Sequence, residues 1–155
     1  MLLKLNKFWL LSVFLITPIV FSESIVNIED LRRDGEEGFF ANLSGSYSFS
    51  RGNRNRDSFS FQTSLDYNKN DLETFFVFKR AQKKINNNNY DSATLSHLRL
   101  NFLFEENPSL EVFLQYSKNP FRKFNKRELF GLGSRFVVKD NFRAGLGIMH
   151  EDEED

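Results

Sequence analysis

The twelve residues Phe39–Ser50, with the sequence FFANLSGSYSFS, decide the fold predicted for this chain. Each odd position up to Phe49 carries an apolar, aromatic or glycine residue, whereas the even positions from Asn42 to Ser50 carry asparagine or serine. Successive side chains of a β-strand point to opposite faces of its sheet. The alternation therefore predicts a strand with one apolar face and one polar face.

The same period of two recurs along the rest of the chain. It predicts further strands near residues 58–67, 97–104, 110–117, 130–138 and 142–148. In residues 72–80 two registers compete, because Phe75 and Val77 rival Phe76 and Phe78 for the apolar face. No segment after residue 22 carries a helical stripe. The sequence thus predicts an all-β protein, an antiparallel up-and-down meander of about seven strands.

The amino-terminal segment has the features of a secretory signal peptide. Lys4 and Lys7 precede an apolar run of 14 residues, and cleavage is predicted after Ser22. An uncleaved anchor is disfavoured, because the run is short for a bilayer and contains Pro18. The predicted organisation is a signal peptide at 1–22, a periplasmic lead-in at 23–38 and a β-barrel domain at 39–155.

Composition narrows the class of protein. Without Lys4 and Lys7 the mature chain keeps 21 acidic and 19 basic residues, so no basic excess points to nucleic acid. The chain has no cysteine, which excludes a disulfide scaffold. The mean hydropathy of −0.46 suits a soluble protein. It also suits a membrane β-barrel, because only every second strand residue of such a barrel faces lipid.

Two architectures explain a strand with one dry face. In a transmembrane barrel the apolar face meets lipid and the polar face lines the lumen, whereas a soluble barrel points its apolar face inward. Strands near the ~9–11 residues that cross a bilayer, and aromatic residues near strand ends, favour the membrane. The predicted lumen-lining residues are then Ser44, Ser46, Ser60, Gln62, His97, Arg99, Glu111, Gln115 and Arg135.

The connections are predicted to alternate in length. They span residues 51–57, 68–71, 81–91, 105–108, 118–126 and 139–141, and the long ones carry the basic residues. Outer-membrane barrels have short periplasmic turns and longer external loops. Eight bases are therefore predicted to contact lipopolysaccharide from outside, with ordinary solubilising charge as the alternative: Arg51, Arg54, Arg56, Lys83, Lys84, Arg122, Lys123 and Lys126.

The sequence offers little catalytic chemistry. His97 is the one candidate base within a clear strand pattern, and its neighbour Ser96 points to the opposite face. A polar-network histidine is preferred over a serine hydrolase. The acidic run after His150 lacks a glycine turn that could converge its carboxylates on calcium, so a solvated external loop is predicted. No catalytic residue, metal or cofactor is predicted.

Several segments resemble the domain-of-unknown-function family 481, which includes proteins named as salt-induced outer-membrane proteins. The resemblance covers nearly all of the mature chain. It is carried by His97-Leu98-Arg99, EVFLQYSKNPFR, Arg127 with Gly131-Leu132-Gly133, Gly145-Leu146-Gly147, and Gly52-Asn53. It implies an outer-membrane β-barrel with no established activity or cofactor. It also implies that members continue with further strands, so the acidic ending is interpreted as a loop interrupted by truncation.

The predicted function is that of a non-enzymatic outer-membrane barrel, either a narrow pore or an envelope-integrity protein under osmotic stress. Its expected partners are outer-membrane lipid, lipopolysaccharide and the barrel-assembly machinery, with no nucleic acid. An exported soluble barrel that binds an apolar ligand is the alternative. A lipid-acting barrel hydrolase using His97 is a third hypothesis.

Overall fold

The fold is one antiparallel sheet of seven strands in chain order. The computed structural model describes residues 36–104, 108–121, 125–139 and 142–154. The strands are β1 (Gly38–Ser50), β2 (Arg56–Lys69), β3 (Leu72–Ile85), β4 (Asn88–Phe102), β5 (Ser109–Lys118), β6 (Lys126–Lys139) and β7 (Phe142–Glu154). Each pairs only with its neighbours in sequence. The predicted all-β meander is confirmed. The predicted signal peptide, and the lead-in up to residue 35, lie outside the described residues.

The sheet is open. Contacts between strands occur within the six sequential pairs, and none joins β1 to β7 among the described residues. The strands therefore supply the meander of the predicted barrel but not its closure. Within the described ranges, no helix is long and apolar enough to cross a membrane.

The predicted alternation of loop lengths is wrong at the β3–β4 connection. In place of eleven residues, Asn86 and Asn87 alone connect the two strands. Their φ angles are 48° and 67°, and positive φ at both central residues is typical of a type I′ hairpin turn. Apart from Ile85 and Tyr90, the residues from Gln82 to Asp91 are polar on both faces, so no apolar alternation marks them in the sequence. At the other end of the sheet, six residues connect β4 to β5.

The acidic run is a strand and not the predicted loop. β7 continues through the acids to Glu154 and keeps its register with β6. Arg127 of β6 forms ion pairs with both Glu151 and Glu153, the latter at 3.2 Å. An acidic sequence favours a loop only where nothing neutralises it. Here the neighbouring strand supplies the cation.

Candidate functional site

The two faces of the sheet differ in burial. We call the face that carries His97 the inner face and the opposite one the outer face. Among the described residues nine side chains are buried, and by cross-strand register all nine lie on the inner face: Ser64, Asp66, Phe75, Val77, His97, Asn101, Gln115, Arg127 and Leu129. This register also resolves the ambiguous strand, because Phe75 pairs with Arg99 and Val77 with His97. Six of the nine buried residues are polar or charged.

The outer face carries most of the exposed large apolar side chains. They include Phe39, Leu43, Tyr47, Phe49, Leu114, Phe130, Leu146 and Ile148. Leu146 and Ile148 are 78% and 77% exposed. The polar face of this sheet is thus the buried one, whereas a soluble β-sandwich buries its apolar face.

The nine predicted lumen residues share one face. Ser44 pairs with Gln62, and the Ser46 and Ser60 hydroxyls lie 2.7 Å apart. The other five follow on β4, β5 and β6: His97, Arg99, Glu111, Gln115 and Arg135. The structure therefore brings the predicted set together on the inner face, and the lumen itself stays a prediction.

His97 sits at the centre of this face. Its side chain is fully buried, and its Nδ1–H donates to Oε1 of Gln115 over 3.1 Å. Its ring stacks on Phe113, with centroids 5.9 Å apart and planes 18° apart. The Arg99 guanidinium lies 5.7 Å from the centroid of the same Phe113 ring. Aromatic and cation contacts of this kind fix the ring orientation.

Gly131 makes room for Phe113. A Cβ added to Gly131 would lie 2.1 Å from Cε1 of Phe113, so the ring occupies the space that any other residue would fill. The two residues face each other across β5 and β6. Gly131 therefore relieves crowding against one specific side chain. The predicted lumen-lining set did not include Phe113, because an aromatic residue at a polar-face position departs from the alternation.

A charged cluster spans three strands next to this stack. Glu111 pairs with Arg99 at 2.5 Å and lies 3.8 Å from Arg135. All three side chains are less than one-fifth exposed. Asn101 donates to Glu73 over 2.8 Å. The predicted lumen set lacked four residues of this face: Asp66, Glu73, Asn101 and Arg127. Three of them, Asp66, Asn101 and Arg127, share the strand period of a predicted lumen residue, whereas no lumen residue was predicted on β3.

This arrangement holds charges in pairs and presents no assembled catalytic dyad. The hydrogen-bond partner of His97 is a glutamine, and no serine hydroxyl bonds to it within the described ranges. The described residues also contain no group of three or more His, Cys, Asp or Glu side chains placed to hold a metal ion. The hydrolase hypothesis therefore gains no geometric support.

The six described bases of the predicted lipopolysaccharide-contacting set do not all lie on one face of the sheet. Arg51 pairs with Asp57 at 2.8 Å, Lys83 with Asp91 at 3.1 Å and Lys126 with Glu128 at 3.1 Å. Register places Lys83 on the inner face and Lys126 on the outer face. Arg54 and Arg56 form no ion pair with any described residue. Arg122 and Lys123 lie outside the described residues.

Asp57 is held in its charged form at the rim of the sheet. The ion-paired hydrogen bond from Arg51, with a smaller contribution from the Tyr47 hydroxyl at 3.1 Å, lowers the pKa of Asp57 below its ordinary value of 3.8. The Arg51 guanidinium also lies 5.4 Å from the centroid of the Phe49 ring. The rim thus combines aromatic and charged residues.

The outer face also holds a groove of about 560 Å³ across β3 to β7. Its apolar part consists of Phe76, Leu98, Leu114 and Phe130. Its polar border consists of Ser96, Tyr116, Glu128, His150 and Asp152. A concave apolar surface with a polar border on one side suits an amphiphilic ligand.

Comparison with known families defines the class. The family of proteins of unknown function DUF481 matches residues 44–150. The chain belongs to this family, as the resemblance predicted. No curated protein and no solved structure matches the chain.

Proposed function

We propose that this protein forms the wall of an outer-membrane β-barrel, with its outer face in lipid and its inner face toward an aqueous interior. In this proposal it has no enzymatic activity and acts as a narrow pore or an envelope-integrity protein. The expected partners are outer-membrane lipid, lipopolysaccharide and the barrel-assembly machinery. A role in osmotic stress stays a prediction from the family resemblance.

This proposal rests on the burial of polar side chains on the inner face and the exposure of apolar side chains on the outer face. Six of nine buried side chains are polar or charged, whereas large apolar side chains cover the opposite face. Each Å² of apolar surface left in water costs about 25 cal/mol, and contiguous apolar surfaces of several hundred Å² mark membrane or protein contacts. The alternative, a soluble barrel with an apolar interior, requires the opposite burial.

The outer face also has a sloping limit between apolar and charged residues. Cross-strand pairs place six residues in one row: Tyr67, Thr74, Leu100, Val112, Leu132 and Ile148. One end of the sheet, which we call the basic end, holds residues 51–55, 86–87 and 119–125. On each strand, the charged limit is the first charged outer-face residue between this row and the basic end. These residues are Asp57 on β2, Arg80 on β3, Lys118 on β5, Glu128 on β6 and Asp152 on β7. Between Leu100 and Ser92, β4 has no charge on this face.

The slope of this limit matches the tilt of barrel strands. The limit lies ten residues from the row at Asp57 in β2, six at Arg80 in β3 and Lys118 in β5, and four at Glu128 in β6 and Asp152 in β7. The slope is taken between the two end positions, β2 and β7. From β2 to β7 the charged limit shifts by six residues over five strand-to-strand steps, which is about 1.2 residues per step. With a rise of about 3.4 Å per residue and a strand spacing of about 4.8 Å, this gives a tilt of roughly 40°. Membrane barrels tilt their strands by about 35–45°, so a flat lipid slab would cut the sheet along this limit.

Membrane fractionation with heat-modifiable gel migration tests the proposal. We expect the expressed protein to sediment with outer membranes, to resist carbonate extraction and to migrate faster in unheated than in boiled detergent samples. A folded barrel resists detergent at room temperature, because its backbone hydrogen bonds are internal. A protein that stays in solution without detergent and does not bind lipid vesicles would contradict the proposal and favour the soluble alternative.

A further inference from the structure

We propose that β3, β4 and β5 present a site on the outer face, at the basic end, for the phosphorylated lipid A part of lipopolysaccharide. The inference rests on the membrane location proposed above. It differs from the loop-base prediction, because its cations are strand residues that the sequence pattern did not single out.

Three successive rows of residues form the site. Phe76, Leu98 and Leu114 make an apolar row. The next row toward the basic end holds Phe78, Ser96 and Tyr116, and the third row holds Arg80, Thr94 and Lys118. The rows change from apolar to hydroxyl-bearing to cationic. This order matches that of the acyl chains, sugar and phosphate in an acylated sugar phosphate. The groove of about 560 Å³ lies over the first two rows and leaves space for acyl chains.

The cations of the third row are available to a ligand. Arg80 and Lys118 are exposed, and neither forms an ion pair with any described residue. Glu128 is the acid next to Tyr116, and it already pairs with Lys126 at 3.1 Å. Lys118 and Lys126 are direct cross-strand partners, and like charges in that position are destabilising. Glu128 offsets this repulsion at Lys126, and an anion bound at Lys118 would offset it at the other partner.

The spacing favours a headgroup with more than one phosphate. Arg80 and Lys118 lie two strands apart, which is about 10 Å across the sheet, and the Thr94 hydroxyl lies between them. Arg80 can hold one phosphate through two parallel hydrogen bonds, while Lys118 is free to hold a second. A glycerophospholipid such as phosphatidylglycerol carries one phosphate. Lipid A carries two on a rigid disaccharide.

Binding measurements on the full chain in nanodiscs test the site. The probes are bisphosphorylated lipopolysaccharide, its monophosphorylated form and phosphatidylglycerol. We expect Arg80→Gln with Lys118→Gln to weaken lipopolysaccharide binding by about tenfold or more, because the charge-assisted hydrogen bonds to both phosphates are lost. The matched control, Lys69→Gln with Lys79→Gln, removes the same charge away from the site, because Lys79 lies on the inner face and Lys69 at the opposite end of β2. It is expected to change binding by less than about twofold.

A graded variant keeps the test independent of folding. Arg80→Lys retains the charge and loses the paired hydrogen bonds, so we expect an intermediate loss for the bisphosphorylated probe and a smaller one for the monophosphorylated probe. Equal loss in the double variant and its control, or equally tight phosphatidylglycerol binding, would overturn the site while leaving the membrane location intact. Failure of the unmodified chain to enter nanodiscs would overturn the proposed function together with the site.

Discussion

The inner-face and outer-face side chains of the sheet are stabilised by different surroundings. Inner side chains find partners within the chain, as in the Arg99–Glu111 pair and the stack of His97 on Phe113. Outer side chains such as Leu146 and Ile148 remain more than three-quarters exposed. The stability of the inner face therefore depends on the identity of specific neighbours. The stability of the outer face depends on the surrounding medium.

This difference also predicts which substitutions each face tolerates. On the outer face one apolar residue can replace another, because lipid adapts its shape to the surface. On the inner face a change of one methyl group meets a fixed neighbour, since protein interiors are packed as densely as organic crystals. Substitutions on the outer face should therefore be sensitive to added charge and tolerant of changes in volume. Substitutions on the inner face should be sensitive to changes in volume.

The largest expected effect is a charge at the middle of the outer face. Leu100→Arg places a cation on β4 in the row that also holds Val112 and Leu132. We expect a loss of about 2–4 kcal/mol in the free energy of folding into lipid vesicles, because the guanidinium must be moved into hydrocarbon. Reversible urea titration in vesicles measures this quantity.

Ser92→Arg is the matched control, on the same strand and face but beyond the charged limit of the neighbouring strands. We expect a change of less than about 1 kcal/mol there. Equal destabilisation at both positions would mean that the outer face does not cross a lipid slab along the proposed slope.

A smaller effect is expected on the inner face from a single methyl group. Gly131→Ala would displace the Phe113 ring, whose Cε1 lies 2.1 Å from the added carbon. We expect a loss of about 1–3 kcal/mol in unfolding free energy, typical of overpacking. In a Phe113→Ala background the same change should cost much less, because the clashing ring is gone.

Gly145→Ala serves as the control for this prediction. A Cβ at Gly145 would lie 3.6 Å from the backbone oxygen of Ser134, which is ordinary van der Waals contact. Its unfolding free energy is expected to stay within about 0.5 kcal/mol of the original. Additive losses for Gly131→Ala and Phe113→Ala would show that the two residues do not share one space.

The smallest effect is expected at the rim, where both faces meet solvent. Because Arg51 lowers the pKa of Asp57, the carboxylate contributes stability above its unfolded pKa, near 3.8. That contribution is lost as pH falls through the lower folded pKa. Asp57→Asn should therefore lower the melting temperature slightly at pH 7 and leave it unchanged at a pH well below 3.8.

Melting curves of the two proteins across this pH range measure the effect. Ser58→Ala, the adjacent inner-face position, provides the control and should shift neither curve. A difference between the original protein and Asp57→Asn that persists at the lowest pH would exclude the ion pair as its cause.

Most of the fold could be predicted from alternation, and the failures share one cause. Apart from Ile85 and Tyr90, the residues around the β3–β4 turn are polar on both faces, so the end of this hairpin has no period of two and is predicted as a loop. Glu151 and Glu153 read as solvent-exposed because their cation, Arg127, lies more than twenty residues earlier in the chain. Where no face is apolar, the local pattern contains no information about pairing.

The candidate site was predicted as a set of residues but not as an arrangement. The nine predicted inner residues do share a face, since parity alone decides that. Phe113, Asn101 and Arg127 were missed, although the same parity places them there. Arg80 and Lys118 were missed as a pair, because their relation appears only when the register of three strands is known.

The sequence by itself determined that every strand except β3 has two unlike faces, because side chains of a strand alternate whatever they pack against. It also determined the family, whose match spans residues 44–150. Only the tertiary structure decided which face is buried, since alternation is the same for an apolar interior and an apolar exterior. It also decided the slope of the charged limit and the Phe113–Gly131 contact, because both depend on pairing between strands.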